Sequence, residues 1–142
     1  MYLLDTDYMS LIQRGGPAGA TIVQRLITTN SPIATTVITY EEQMRGWLDL
    51  IARATKFDAQ VRGYHFLHQH TLNYQKVFIA PFNAPAIETY QQLRKTYPRL
   101  GKMDLKIAAI AVTQQAILLT RNYQDFSNIT TLQSEDWLVE RS

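Results

Sequence analysis

Tyr2-Leu3-Leu4-Asp5-Thr6-Asp7 is an apolar run that ends on a carboxylate. Residues 2–5 read as a short buried strand whose last side chain faces a crevice. Two more acids stand at comparable places. Glu42 falls one turn inside a helical stretch that starts near Val37, and Asp104 stands just before an apolar helix over 105–112. Far apart in sequence, the three meet only if the fold brings those element ends together. Parallel α/β sheets do so, because strand carboxyl ends and the following helix starts line one crevice. Carboxylates gathered there suit a hard divalent cation.

Working outward, Thr6 or Asp7 is expected to cap a short helix over 8–12. Gly15-Gly16-Pro17 breaks it, and 18–28 form a second helix with Ile22, Val23 and Leu26 inward. Asn30-Ser31-Pro32 is a turn before a brief strand at 33–35. In the helix over 37–54, Met44, Trp47, Leu48 and Ile51 recur at three and four residues, which predicts one buried stripe. A long helical stretch over 57–77 follows, then Pro81 and Pro85, then a helix over 84–97 that Pro98 ends. Arg99-Leu100-Gly101-Lys102 delivers Asp104 to the apolar helix, whose Ala108, Ala109 and Ala111 allow close approach to a sheet. Residues 116–120 make the next strand, and 132–138 hold a last short strand or turn. Strands separated by helical spans imply a parallel sheet with right-handed crossovers.

A chain of 142 residues is expected to form one domain, 1–142, burying roughly two thirds of its unfolded surface. The 46% hydrophobic content excludes disorder. Cysteine is absent, so there is no disulfide framework and no thiolate zinc site. Met1 leads directly into a strand-like run without a basic flank, so no signal peptide is expected. No apolar run approaches the ~20 residues needed to span a bilayer. A soluble cytoplasmic protein without membrane contact is the expectation.

The net charge of +2 is mild, but its distribution is uneven. Arg94, Lys95, Arg99, Lys102 and Lys106 crowd the approach to Asp104, while acids concentrate at Asp5, Asp7, Glu41, Glu42 and Asp104. A cationic rim around an anionic pit suits a polyanionic substrate reached through a metal. A solvated basic helix end is the plainer alternative.

Four segments carry a resemblance: Leu3-Leu4-Asp5-Thr6-Asp7-Tyr8-Met9-Ser10, Ile38 to Gly46, Asp104 to Ala109, and Leu119-Thr120-Arg121-Asn122-Tyr123-Gln124-Asp125-Phe126. In that order they resemble PIN domains, and among these the VapC toxins of bacterial type II toxin–antitoxin pairs. The resemblance spans nearly the whole chain. It implies a three-layer α/β/α fold with a short parallel central sheet. It also implies Mg²⁺- or Mn²⁺-dependent endoribonuclease activity leaving a 5′-phosphate and a 3′-hydroxyl, a homodimer, and a small antitoxin that blocks the site.

Asp5, Glu42 and Asp104 match the family's first three acids and are the expected metal ligands. Thr39, Glu42 and Gly46 keep the family spacing, and Gly46 would let another element come close. Glu41 is expected in solvent. At the fourth position, Thr120-Arg121-Asn122 puts an amide where many PIN domains carry Asp. Asn122 is expected to offer its carbonyl to a metal-bound water. Asp7 stands where these toxins often have Asn, so it can restore the missing charge. Thr6 and Thr120 are candidate orienting hydroxyls, and Arg99, Lys102 and Arg121 are candidates for positioning RNA phosphates. Asp5 and Asp104 could instead simply cap helices.

Two carboxylates ~4 Å apart repel by ~4 kcal/mol at an effective dielectric near 20, so such a group either takes up protons or recruits a cation. His65, His68 and His70 do not form a convincing zinc site, since His70 points away from the other two on a helix. Tyr64, Phe66, Tyr74 and Phe78 read as core or dimer surface rather than as a base-stacking platform. Two rival functions remain open. Asp5-Thr6-Asp7 echoes the nucleophile–acid pair of haloacid-dehalogenase-type phosphatases, although Met9 stands where that family has Thr or Val. A PIN-like module that binds RNA or an antitoxin without cutting is the other.

Overall fold

Leu3 and Leu4 point to opposite faces of their strand, and that alternation builds two cores. In the computed structural model, which describes residues 1–139, β1 (Tyr2–Leu4) is the central strand of a five-stranded sheet. The other strands are β2 (Ile33–Thr36), β3 (Phe78–Ala80), β4 (Ile117–Leu119) and β5 (Gln133–Glu135). Their order is β3-β2-β1-β4-β5, and every pairing is parallel.

The helices are α1 (Thr6–Arg14), α2 (Pro17–Thr29), α3 (Val37–Arg53), α4 (Phe57–Asn73), α5 (Ala84–Thr96), α6 (Lys102–Thr113) and a one-turn α7 (Tyr123–Phe126). Leu3 and Leu118 pack with Tyr90 and Leu93 of α5 and with Leu105 and Ile107 to Ala111 of α6. Leu4 and Leu119 pack on the other face with Tyr8 and Met9 of α1 and Ile22 and Leu26 of α2. This is the expected α/β/α layering. Ala108, Ala109 and Ala111 are fully buried, so α6 lies close against the sheet as their size predicts.

The structure corrects several local expectations. Asp5, not Thr6 or Asp7, caps α1: its Oδ1 accepts the Tyr8 N–H at 2.9 Å. Asp104 lies within the first turn of α6 rather than ahead of it. The stretch over 57–77 is not one helix. It ends at Asn73, passes through a 3₁₀ turn at Tyr74–Lys76 and enters β3. A three-residue apolar run has no periodicity that separates strand from helix, which is why β3 was hidden.

The stripe Met44, Trp47, Leu48, Ile51 is not buried either. The buried residues of α3 are Ile38, Thr39 and Gln43, and Leu48 is 50% exposed. Beyond its second turn, α3 leaves the sheet and pairs with α4 as a hairpin. Gly46 meets nothing within 4 Å where a Cβ would stand, so it faces open space rather than a packed element. No helix among the described residues is long and apolar enough to cross a membrane.

Gly19 is where packing of α2 on α1 requires a missing side chain. A Cβ there would lie 2.3 Å from the Leu11 carbonyl oxygen and 3.2 Å from the Ile12 Cα. Helix propensity favours Gly19→Ala by up to ~1 kcal/mol, but a backbone clash of this kind costs about 1–3 kcal/mol or more. Gly19→Ala is expected to lower the urea midpoint with an unchanged m-value. A raised midpoint would show that the two helices are free to move apart.

Candidate active site

The sheet order reverses at β1. From it the chain builds outward through β2 to β3, then crosses back to place β4 on the other side. The crevice beyond the carboxyl ends of β1 and β4 is therefore a topological switch point, the usual place for a site in an open parallel sheet. Leu4 pairs with Leu119, so the residues that follow them, Asp5 and Thr120, lie side by side.

Asp5 is only 6% exposed. Burial raises its pKa from the ordinary 3.8 to about 6, with the charges of Asp7 and Asp104 acting in the same direction. Hydrogen bonds from the Thr120 hydroxyl and the Tyr8 N–H oppose the rise. Thr120 is fully buried, and its Oγ1 also accepts the Asn122 N–H at 2.9 Å.

Glu42 projects from α3 towards the start of α1, where Thr6 Oγ1 donates to its Oε1 at 2.7 Å. Thr6 and Thr39 hydroxyls are 3.1 Å apart. A hydroxyl carries one proton, so with Thr6 donating to Glu42, Thr39 donates to Thr6. The Thr39 N–H is in turn held by Thr36 Oγ1 at 3.0 Å, which caps α3. Burial raises the Glu42 pKa, helped by Asp104, Asp7 and Glu41. Burial also raises that of Asp104, followed by the charges of Asp125 and Asp7, while the Asn122 amide opposes the rise.

The charges of Asp7 and Asp104 thus bear on both Asp5 and Glu42, which puts the four acids in one neighbourhood. Asp125 joins them and was missed. The fourth acid was sought at position 122, but it stands three residues on, where the first turn of α7 returns it to the site. Asn122 Nδ2 donates to Asp125 Oδ2 at 3.1 Å, and the Asn122 amide also hydrogen-bonds Asp104. Its N–H group is turned to the acids, so the expected role of its carbonyl gives way to that of a neutral spacer between two carboxylates.

Among the described residues, the ion pairs are Arg45–Glu41 and Arg53–Asp49, on the outer part of α3. Glu41 is therefore paired rather than simply solvated, and among the described residues no ion pair neutralises the acidic group. That uncompensated charge fits a hard divalent cation. Among the described residues, no three Asp, Glu or His side chains are placed to share one ion directly. Three direct ligands are not required of such a site, since Mg²⁺ is commonly held by one or two carboxylates and otherwise through water.

The cationic rim differs from expectation. Lys106 lies over Phe82 and Tyr90, and Arg94 over Tyr90, so both cover aromatic rings on the α5–α6 side. Arg99 lines a separate hollow with Tyr97, Leu100 and Asn128. Lys102 is exposed at the first residue of α6. Arg121 lines a crevice with Asp7, Ser10 and Arg14, which brings in an arginine the sequence reading did not consider. His70 is buried between Tyr40 and Tyr74, with ring centroids 4.6 and 4.7 Å away.

Comparison with known proteins agrees with this geometry. The family model described as "PIN domain" matches residues 2–132. Ribonuclease VapC1 of Haemophilus influenzae strain R2866 is 26% identical over 140 residues, covering 96% of this chain and 98% of the relative. The solved structure of VapBC-1 from nontypeable Haemophilus influenzae superposes with a TM-score of 0.72 at 26% identity, covering 97% of this chain and 98% of that one. FitAcB from Neisseria gonorrhoeae gives a TM-score of 0.68 at 23% identity over 98% of this chain and 100% of that one, a likeness of fold. The match along 2–132 overturns the haloacid-dehalogenase alternative.

Because the folded-state pKa of Asp5 is raised, the native protein binds its proton more tightly than the unfolded chain does. Stability from this group is full below the unfolded value of 3.8 and is lost as pH rises through about 6. A shift of this size corresponds to a loss on the order of 3 kcal/mol. Without divalent ions, the Tm is expected to be higher at pH 5 than at pH 7.5, and Asp5→Asn should flatten that difference. Adding Mg²⁺ at pH 7.5 should restore stability. A metal-free Tm that climbs from pH 5 to 7.5 would contradict the charge balance described.

Proposed function

Because this chain belongs to the PIN domain family, we propose that it is a Mg²⁺- or Mn²⁺-dependent endoribonuclease acting as the toxin of a toxin–antitoxin pair. The observation that carries the reading is the group of Asp5, Glu42 and Asp104, whose pKa values are raised by burial and by neighbouring acids including Asp7 and Asp125, with no ion-paired base among the described residues. The relatives named Ribonuclease VapC1 support the reaction class. The VapBC-1 structure and the toxin–antitoxin complex from Klebsiella pneumoniae, which share this fold, support an antitoxin partner. A homodimer and a cytoplasmic place of action accompany this reading.

In the proposed reaction Asp5, Glu42 and Asp104 would hold the ion, directly or through water. The chemistry that Mg²⁺ or Mn²⁺ would supply there is polarisation of the phosphoryl oxygen and compensation of the charge that builds up as the phosphodiester is cut. The protein's own part is preorganisation. Thr6 fixes Glu42 at 2.7 Å, and Thr120 and the Tyr8 N–H fix Asp5. Asn122 keeps Asp104 and Asp125 apart while sharing protons with both. Asp7 is exposed and adds charge to all three proposed ligands, which suits the compensating role suggested by the neutral Asn122. Arg121 and Arg14, which share a crevice with Asp7, and Lys102 at the start of α6 are the cations this reading assigns to RNA phosphates.

Mapping of cleaved ends in total RNA tests the reading. Wild type is expected to leave 5′-phosphate ends in Mg²⁺ and none in EDTA, and Asp104→Asn or Asp5→Asn should reduce cleavage by at least ~100-fold. Undiminished cutting in EDTA would refute it, and RNA binding without any metal-dependent cutting would favour the non-cutting module. Thr6→Val should raise the Mg²⁺ concentration for half-maximal cleavage by about 10-fold, in line with losses at ligand-orienting residues. An unchanged Mg²⁺ midpoint would show that the Thr6 hydroxyl does not position Glu42.

A further inference from the structure

One helical turn beyond the acids lies a groove of about 680 Å³ between α1, α3 and α4, within the usual size of a small-ligand site. Trp47 and Phe66 line it and stack on each other, with centroids 5.0 Å apart and planes 20° from parallel. Phe66 is 41% exposed, so the pair offers aromatic surface to an occupant instead of closing into a core. Gln69 and Asn73 of α4 add exposed amides.

The floor is unusual. Gln43 is tied into place by Ser10, Gln13 and Tyr74, the last donating to its Oε1 at 2.6 Å. His70 beside it is only 2% exposed, and neither ring nitrogen has a hydrogen-bond partner among the described residues. Buried polar groups are almost always paired, so an orphaned imidazole lining a groove points to a ligand that completes it. A neutral imidazole presents one donor and one acceptor.

The groove is continuous with the site. Ser10 and Arg14 line both the groove and the crevice that contains Asp7 and Arg121. Ser10 follows Thr6 by one turn of α1, and Gly46 follows Glu42 by one turn of α3, about 5.4 Å along each helix. A strand of RNA whose phosphate lies at the acids therefore passes Arg14 and reaches the groove within about one nucleotide.

We propose that this groove takes a nucleobase of the RNA substrate next to the bond that is cut, stacked on the Trp47–Phe66 pair and read at its edge by His70 and the neighbouring amides. The inference rests on the ribonuclease reading and adds the element that selects sequence. Single-stranded RNA is recognised in this way, by stacking of an unpaired base on aromatic side chains and hydrogen bonds to its edges. A purely apolar protein side chain would fill the same space but leave His70 orphaned.

Gly46→Leu is the cleanest test, because Gly46 lines the groove and a Cβ added there meets nothing within 4 Å. Wild type, Gly46→Leu and Trp47→Ala would be compared on a pool of oligoribonucleotides randomised around the cleaved bond. Wild type is expected to prefer one base beside the cut. Both variants should lose about 10-fold or more in kcat/KM on the favoured sequence, chiefly through KM, so that the preference between favoured and disfavoured bases narrows. An unchanged preference in the two variants overturns the inference. So does a Gly46→Leu protein that keeps its preference and merely releases a co-expressed antitoxin, which would make the groove a protein-docking surface.

A wild type that cuts no RNA would sink the ribonuclease reading, and the groove would then be judged by binding alone. The readout is quenching of tryptophan fluorescence by the same oligoribonucleotides in EDTA. Quenching kept in Asp104→Asn but lost in Gly46→Leu supports the base site; no quenching in the wild type overturns it.

Discussion

Mutual repulsion among the carboxylates beyond β1 and β4 is the constraint around which the site is organised. The sheet places them there at a cost to the metal-free fold, and short polar side chains hold them in position. Thr35, Thr36, Thr39 and Thr120 are all fully buried near the ends of the central strands. Thr35 secures the strand end by donating to the Leu4 carbonyl at 2.8 Å. Thr36 and Thr39 lead through Thr6 to Glu42, and Thr120 reaches Asp5. Hydroxyls are suited to this work because they donate to a carboxylate without adding a counter-charge that would compete with an ion.

The same constraint accounts for the helix arrangement. α1 and α3 both begin immediately after a strand, each capped by the residue at the strand's end, Asp5 or Thr36. Those caps fix the direction in which Thr6, Asp7 and Glu42 project. α6 carries Asp104 in its first turn, where a negative charge is favoured by the helix dipole, and its buried alanines hold it against the sheet. Past the site, α3 runs off the sheet, and the α3–α4 hairpin presents apolar surface and a polar floor to solvent. A buried stripe would have sealed that side; a groove leaves it open to a partner.

Legibility in the sequence followed the strength of local signals. Tyr2-Leu3-Leu4 and Ala116 to Leu119 are apolar runs bounded by polar residues, and both became central strands. Asp5, Glu42 and Asp104 could be picked out because each stands at or within two turns of an element's end. Phe78 to Ala80 carries no signal of its own, since so short a run has no period, and the helical reading of 57–77 ran up to its edge. Asp125 was overlooked because the acid was sought in line with β4, while a single turn of helix, which no sequence period announces, brings it back. Arg14 and His70 acquire meaning only from their neighbours on other helices.

The sequence by itself determined the alternation of strands and helices, the two-sided sheet and the identity of three acids, because each depends on residues close together in the chain. Tertiary structure decided what those acids experience: burial of Asp5, the arrival of Asp125, the hydroxyl chain to Glu42 and the groove beyond Gly46. Charge, burial and enclosure are sums over groups brought together from α1, α3, α4, α6 and α7. No local stretch of chain contains that sum, so only the folded arrangement fixes it.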